Sequence, residues 1–199
     1  MPEIRIAPAT EVPWPDVEQT MTGGGDGSTC WCQWFMLTRK EFDACGRDER
    51  AAMLRSEIQS ADASPGLVAY VDGSPAGWAR VGPRLLQPAL GRSRIVKGSD
   101  ESRDDTSVWA VTCFVVRKEH RGKGLLKRLA TAAVEHAVAH GARVIEAYPV
   151  DTEARETSDN ELYHGTVKMF RDAGFREVAR PSETRAVMAL DVSRRRPAA

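Results

Sequence analysis

The sequence predicts a mixed α/β fold, and three features of its second half carry that prediction. Val108 to Val116 is apolar and β-branched apart from Ala110, Thr112 and Cys113, the composition of a buried central strand. Leu125, Leu126, Leu129, Ala132, Ala133, Val134, Ala137 and Val138 recur at helical spacing and form one wide apolar face. Between these segments lies a short basic turn, Arg117 to Gly124, so strand and helix follow each other directly. With 199 residues, 42% of them hydrophobic, the chain is long enough to bury one core, and residues 1–199 are expected to form a single domain.

In chain order, Ile4 to Ala7 reads as a first strand, and Glu11 to Met21 as a short helical piece interrupted by prolines. Thr22 to Thr29 is glycine-rich and predicts a loop. An aromatic cluster follows, Trp31, Trp34 and Phe35; on a strand, Cys30, Cys32 and Trp34 would share one face. Arg39 to Ile58 places Phe42, Met53, Leu54 and Ile58 among alternating charges, which predicts one or two amphipathic helices. Gly66 to Val71 and Ala76 to Val81 flank Asp72-Gly73-Ser74-Pro75 and predict a hairpin. Residues 82–107 form a long polar insertion whose aliphatic anchors are Leu85, Leu86, Leu90 and Ile95. Past the long helix, Gly141 is a C-cap and Arg143 to Tyr148 a strand. A polar stretch then leads to a helix from Glu161 to Ala173, stopped by Gly174, and to strands at Phe175 to Ala179 and Thr184 to Leu190.

Composition excludes several function classes. The 28 basic side chains balance the 28 acidic ones, so no global field draws the protein to nucleic acid or to an anionic membrane. Arg194-Arg195-Arg196, in the tail 192–199, reads as a solvated end. No segment approaches the length of a membrane span and the N-terminus has no signal-peptide apolar region, so the expected location is cytoplasmic. Cys30, Cys32, Cys45 and Cys113 are too scattered for a disulfide framework. Cys30-Trp31-Cys32 offers two metal ligands where structural zinc wants four, and no metal is expected.

The turn itself is built to hold phosphate. Gly122 and Gly124 allow close backbone approach, and the first N–H groups of the following helix lack intrahelical acceptors. A P-loop would need Ser or Thr after Gly-Lys, and a Rossmann fingerprint a third glycine; the chain has neither. Arg121-Gly122-Lys123-Gly124-Leu125-Leu126 instead resembles the Arg/Gln-x-x-Gly-x-Gly/Ala signature of the GNAT superfamily of N-acetyltransferases. Leu126 replaces its final small residue, and Lys118 stands where many relatives carry proline. Met169-Phe170-Arg171-Asp172-Ala173-Gly174-Phe175 resembles a second recurrent segment of the same superfamily. The resemblance covers about residues 65–191.

The resemblance implies a GNAT-like, mostly antiparallel central sheet of six or seven strands with helices on both faces. It implies acetyl-coenzyme A as acetyl donor, with its pyrophosphate over Arg121, Gly122, Lys123, Gly124, Leu125 and Leu126. Its pantetheine arm would meet backbone groups of Phe114, Val115 and Val116. The partner would be an unidentified amine of a small molecule or protein, and a homodimer is left open. In many relatives a tyrosine four residues before Gly-Phe protonates the leaving thiolate, but Phe170 occupies that place here. Tyr163, seven residues earlier and in place of a frequent asparagine, falls near the same face of the expected helix, about 10 Å away. Glu146 and Tyr148 alternate to one face of the second strand, where the central strands should splay, and complete the catalytic candidates. Trp31, Trp34 and Phe35, within the variable segment 22–60, are the candidate acceptor wall. Two alternatives stand beside transfer: a catalytically silent acyl-coenzyme A sensor, supported by Phe170, and a metal- or redox-responsive protein using Cys30 and Cys32.

Overall fold

The computed structural model describes residues 2–23, 27–154 and 159–193. In chain order these form β1 (Ile4–Pro8), α1 (Trp14–Met21), α2 (Gly27–Cys30), α3 (Arg39–Ala44), α4 (Arg47–Ser60), β2 (Gly66–Val71) and β3 (Ser74–Pro83). They continue with β4 (Val108–Val116), α5 (Leu125–Ala139), β5 (Val144–Ala147), α6 (Val167–Asp172), β6 (Arg176–Ser182) and β7 (Arg185–Asp191). The strands make one seven-stranded sheet in the order β1-β2-β3-β4-β5-β7-β6, in which only β4 and β5 run parallel. Seven strands, mostly antiparallel, with α5 on one face and α1 and α4 on the other, is the architecture that the resemblance implies.

Alternation along the strands explains the two-sided core. Leu67, Ala69 and Val71 face α5, packing with Leu125, Leu129, Ala133 and Ala137. Val68 and Tyr70 point the other way, toward Val17 and Met21 of α1 and Leu54 and Ile58 of α4. Each fully buried leucine, such as Leu54 or Leu129, contributes about 1.5–3 kcal/mol over an exposed one. The β2–β3 hairpin turns at Asp72 and Gly73, both with left-handed φ (49° and 79°), as a two-residue turn between twisted strands requires. Arg39 to Ile58 forms two helices, each closed at its start by a Glu side chain reaching back, Glu41 for α3 and Glu49 for α4.

Three local expectations are corrected. Cys30, Cys32 and Trp34 do not lie on a strand: α2 ends at Cys30, and Trp31 and Cys32 take left-handed φ values of 48° and 54°. The helix expected from Glu161 to Ala173 is broken at Gly165, whose φ is 73°. Before it lies a 3-10 segment, Asp159–His164; after it, Thr166 caps α6 by accepting from the Met169 N–H at 3.2 Å. A Cβ at residue 165 would come within 2.7 Å of Met169 and 2.9 Å of Phe170, so glycine is required there. In the insertion, Leu85 and Leu86 are exposed, and the burial falls to Leu90 and Val96.

The insertion is pinned by polar groups as well. Buried Arg84 donates to Glu146 of β5 at 2.7 Å, to Ser99 Oγ at 2.9 Å and to the Glu101 carbonyl at 3.0 Å. Ala89 N–H donates to the Phe35 carbonyl at 2.9 Å, which ties the insertion to the aromatic segment.

Candidate active site

Two features of β4 open a cleft. Arg80 of β3 pairs with Cys113 while Val81 pairs with Val111, so Thr112 is an extra, bulged residue. β5 pairs with β4 only at Val108 to Val111, and beyond that point the two parallel strands separate. The bulge is held on both sides. Thr112 Oγ1 donates to Gln87 at 2.8 Å, and its carbonyl accepts from His164 Nδ1 at 3.1 Å. Burial drives the His164 pKa down to about 3, with Arg185 adding to the fall, so the ring is neutral and its Nδ1 carries the proton for that bond.

Where β4 ends, the chain makes a 3-10 turn, Lys118–His120, and enters α5 through Gly122 and Gly124, with φ of 72° and 73°. Apart from the adjoining residues in the chain, no atom of the described residues lies within 4 Å of where a Cβ would stand on either glycine. The conformation therefore demands glycine, and the space beside it is left clear for a ligand. The first bond at the helix start is Arg128 N–H to the Gly124 carbonyl at 3.3 Å, so the N–H groups of Leu125, Leu126 and Lys127 precede the intrahelical ladder. This cradle suits a pyrophosphate.

The cleft, about 700 Å³, runs from this turn along β4 to an aromatic end. Of the residues expected to hold the cofactor, Phe114, Val115, Val116, Arg121, Gly122, Gly124, Leu125 and Leu126 line it. Lys123 instead borders a separate cavity with Gln19, Asp72 and Arg117. At the aromatic end stand Trp34, Phe35 and Tyr163 from the sequence-based candidates, joined by Phe42 and Leu162. Trp34 packs edge-on against Phe42 with ring centroids 5.1 Å apart, and the Tyr163 ring lies tilted against His164, centroids 4.0 Å apart.

Three candidates lie elsewhere. Trp31 is buried, stacked on Trp14 with centroids 5.8 Å apart, and belongs to the core beneath β2 and β3. Glu146, a catalytic candidate by its place on the second strand, is fully buried. It accepts from Arg84 and from the Tyr148 hydroxyl, both at 2.7 Å, and from Ser99. Tyr148 is equally enclosed, and burial together with the neighbouring Glu146 charge raises its pKa well above the ordinary value. These two groups anchor the insertion and do not border the cleft. Their strand alternation is as expected; what the sequence did not show is that an arginine 62 positions upstream covers them.

Phe170 is also core. It packs behind the cleft-lining Phe114 at 6.1 Å and against Phe175 at 5.0 Å. The break at Gly165 puts Tyr163 on a different element from Phe170, so the shared helix face and spacing expected for them do not exist.

Arg80 and Cys113 reach the cleft without having been anticipated. The available signal was an arginine within an otherwise apolar hairpin strand. It is 2% exposed and forms an ion pair with Glu57 of α4.

Residues 30–165 match the family model described as the acetyltransferase (GNAT) family. No curated protein matches the chain. Among solved structures, an N-acetyltransferase from Staphylococcus aureus Mu50 is similar at 17% identity and a TM-score of 0.56, over 96% of this chain and 99% of that one. A putative acetyltransferase from Salmonella typhimurium, solved with its cofactor acetyl-CoA, is similar at 17% identity and a TM-score of 0.56, covering 95% and 94%. An N-acetyltransferase of the same superfamily from Kribbella flavida gives 17% identity and a TM-score of 0.53, covering 94% and 97%. At these identities the likeness is one of fold, and the family match carries the assignment: the chain belongs to the GNAT acetyltransferase family and is an acetyltransferase.

Proposed function

We propose that the protein moves an acetyl group from acetyl-CoA to a primary amine of a small molecule or protein, by direct attack within this cleft. The observation that carries the reading is the continuity of one cleft from the glycine turn, along the unpaired edge of β4, to the aromatic end. Both substrates meet there, which supplies the proximity contribution to catalysis. Acetyl-CoA brings the activated acetyl group. The N–H groups of Gly122 to Leu126 receive its pyrophosphate, and backbone groups of Phe114 to Val116 align its arm. A β4 N–H stabilises the carbonyl oxygen as it gains negative charge. Trp34 and Phe35 border the acceptor. The neutral acceptor amine attacks the acetyl carbon, the carbon–sulfur bond breaks, and the proton that the nitrogen gives up passes through water ordered by Tyr163 to the departing thiolate, leaving amide and thiol. We assign the reaction to the cytoplasm, in keeping with four cysteines that are all free thiols.

Titration calorimetry with acetyl-CoA, followed by a thiol-release assay over a panel of amines, tests the reading. Saturable binding and amine-dependent thiol release are expected. Binding without release to any amine would favour the catalytically silent alternative, and absence of binding would overturn the cofactor assignment.

A further inference from the structure

One wall of the cleft holds chemistry that acetyl transfer does not use. The left-handed turn at Trp31 and Cys32 carries Cys32 into the same wall of the cleft as Cys113, which sits beside the bulge on β4 and packs against the cluster that holds Cys32. Cys30 borders the same wall. Arg80 is the cross-strand partner of Cys113, and its Nε and Nη1 groups are buried with no hydrogen-bond acceptor among the described residues. Its Nη2 alone is engaged, by Glu57 and by the Met36 sulfur. Trp78 Nε1, nearby, is likewise buried without an acceptor. Buried N–H groups left unpaired are costly, and several of them gathered beside one sulfur favour an anion there.

The acidities are divided accordingly. The Cys113 side chain lowers the pKa of Cys32, and Arg80 and Trp78 lower it further, against burial and the charge of Glu57. Cys32, together with burial, pushes Cys113 well above its ordinary value. Burial and the neighbouring Cys32 raise Cys30 to about 11.

We propose that Cys32 and Cys113 form a thiol–disulfide exchange site for small-molecule disulfides, with Cys32 as the attacking sulfur and Cys113 as the resolving one. The Cys32 thiolate attacks one sulfur of the disulfide, forming a mixed disulfide and expelling the other half as a thiolate. Cys113 gives its proton to that thiolate and attacks the Cys32 sulfur, releasing the second half. Two protein thiols are oxidised to one disulfide, and the small disulfide is reduced to two thiols. The bond ties the Gly27–Phe35 segment to β4 beside the bulge, at the acceptor end of the cleft.

The test uses the reduced full-length protein, treated in separate arms with oxidised glutathione and with coenzyme A disulfide, then digested without reductant and read by mass spectrometry. A Cys32–Cys113 linked peptide is expected in both arms. Cys113→Ser should accumulate a mixed disulfide on Cys32, and Cys32→Ser should leave Cys113 unmodified. Modification confined to Cys30 or Cys45, or no linked peptide in the folded wild type, would overturn the proposal. The arms also separate it from the cofactor reading on which it partly rests. Coenzyme A disulfide should act at a concentration at least tenfold lower if the glycine turn holds its pyrophosphate; equal potency with the link still formed would count against that reading and leave the exchange site standing.

Discussion

Gly124 stands at the entry to α5 with a φ of 73° and open space where a side chain would project. Gly124→Glu forces an L residue into a left-handed conformation, at roughly 1–2 kcal/mol, and puts a carboxylate where phosphate is expected. Coenzyme A binding should weaken by at least tenfold, about 1.4 kcal/mol, by calorimetry. Unchanged affinity in a folded variant would remove the turn from the cofactor site. The two tryptophans of the aromatic segment separate in the same manner. Trp34 is 38% exposed and borders the cleft, so Trp34→Ala should raise the acceptor KM more than the coenzyme KM. Trp31→Ala removes a buried ring and should cost about 3–5 kcal/mol of stability, read as a lowered Tm, without that kinetic signature. For Tyr163→Phe the expected fall in kcat is below the roughly hundredfold typical of a committed general acid, because a thiolate of pKa about 8.5 leaves tolerably without help. A hundredfold loss with coenzyme binding intact would make Tyr163 the acid.

Strands and helices were readable wherever one residue pattern decided them. β4 announced itself by β-branched content, α5 by its apolar face, and the β2–β3 hairpin by Asp-Gly. The misreadings fell where a contact between elements decided the outcome. At Gly165 the chain takes a left-handed φ and bridges to Val150 through Thr166, and a side chain there would meet Met169 and Phe170. The insertion was expected to be held by Leu85, Leu86, Leu90 and Ile95, whereas its main anchor is polar: Arg84 on Glu146, an ion pair with both side chains almost entirely buried. Glu146→Gln leaves that guanidinium enclosed without its counter-charge and should destabilise the protein by about 3–5 kcal/mol, a Tm drop of roughly 6–20 °C. Replacing both partners with apolar residues of similar size should cost less than this single change. If Glu146→Gln retained the wild-type Tm and lost kcat alone, Glu146 would return as a catalytic candidate.

The molecule as a whole should lose stability in mild acid through its buried histidines. His164 is neutral in the fold with a pKa near 3, whereas in the unfolded chain it protonates below its ordinary value of 6.5. Its contribution is therefore complete above 6.5 and declines as pH falls toward 3, by about 1.4 kcal/mol per pH unit. His136, lowered by burial and by His140, acts in the same direction. From pH 7 to pH 5 the loss through His164 is roughly 2 kcal/mol, measurable by urea unfolding at each pH. His164→Asn should be less stable at neutral pH and show a flatter dependence; an unchanged slope would mean that the ring is solvated.

From residue types and spacing alone came the α/β class, the strand–turn–helix around Gly122 and Gly124, and the family resemblance, because these rest on periodicity and on backbone conformations that few residues adopt. The assembled sheet decided which side chains share a space. Glu146 and Tyr148 alternate to one face as strand geometry demands, yet that face is covered by Arg84. Arg80, Cys32 and Cys113 are distant in sequence and meet because the β3–β4 register and a left-handed turn carry them to one wall of the cleft. Local pattern reports the conformation of a segment, whereas burial and proximity depend on what another segment places against it.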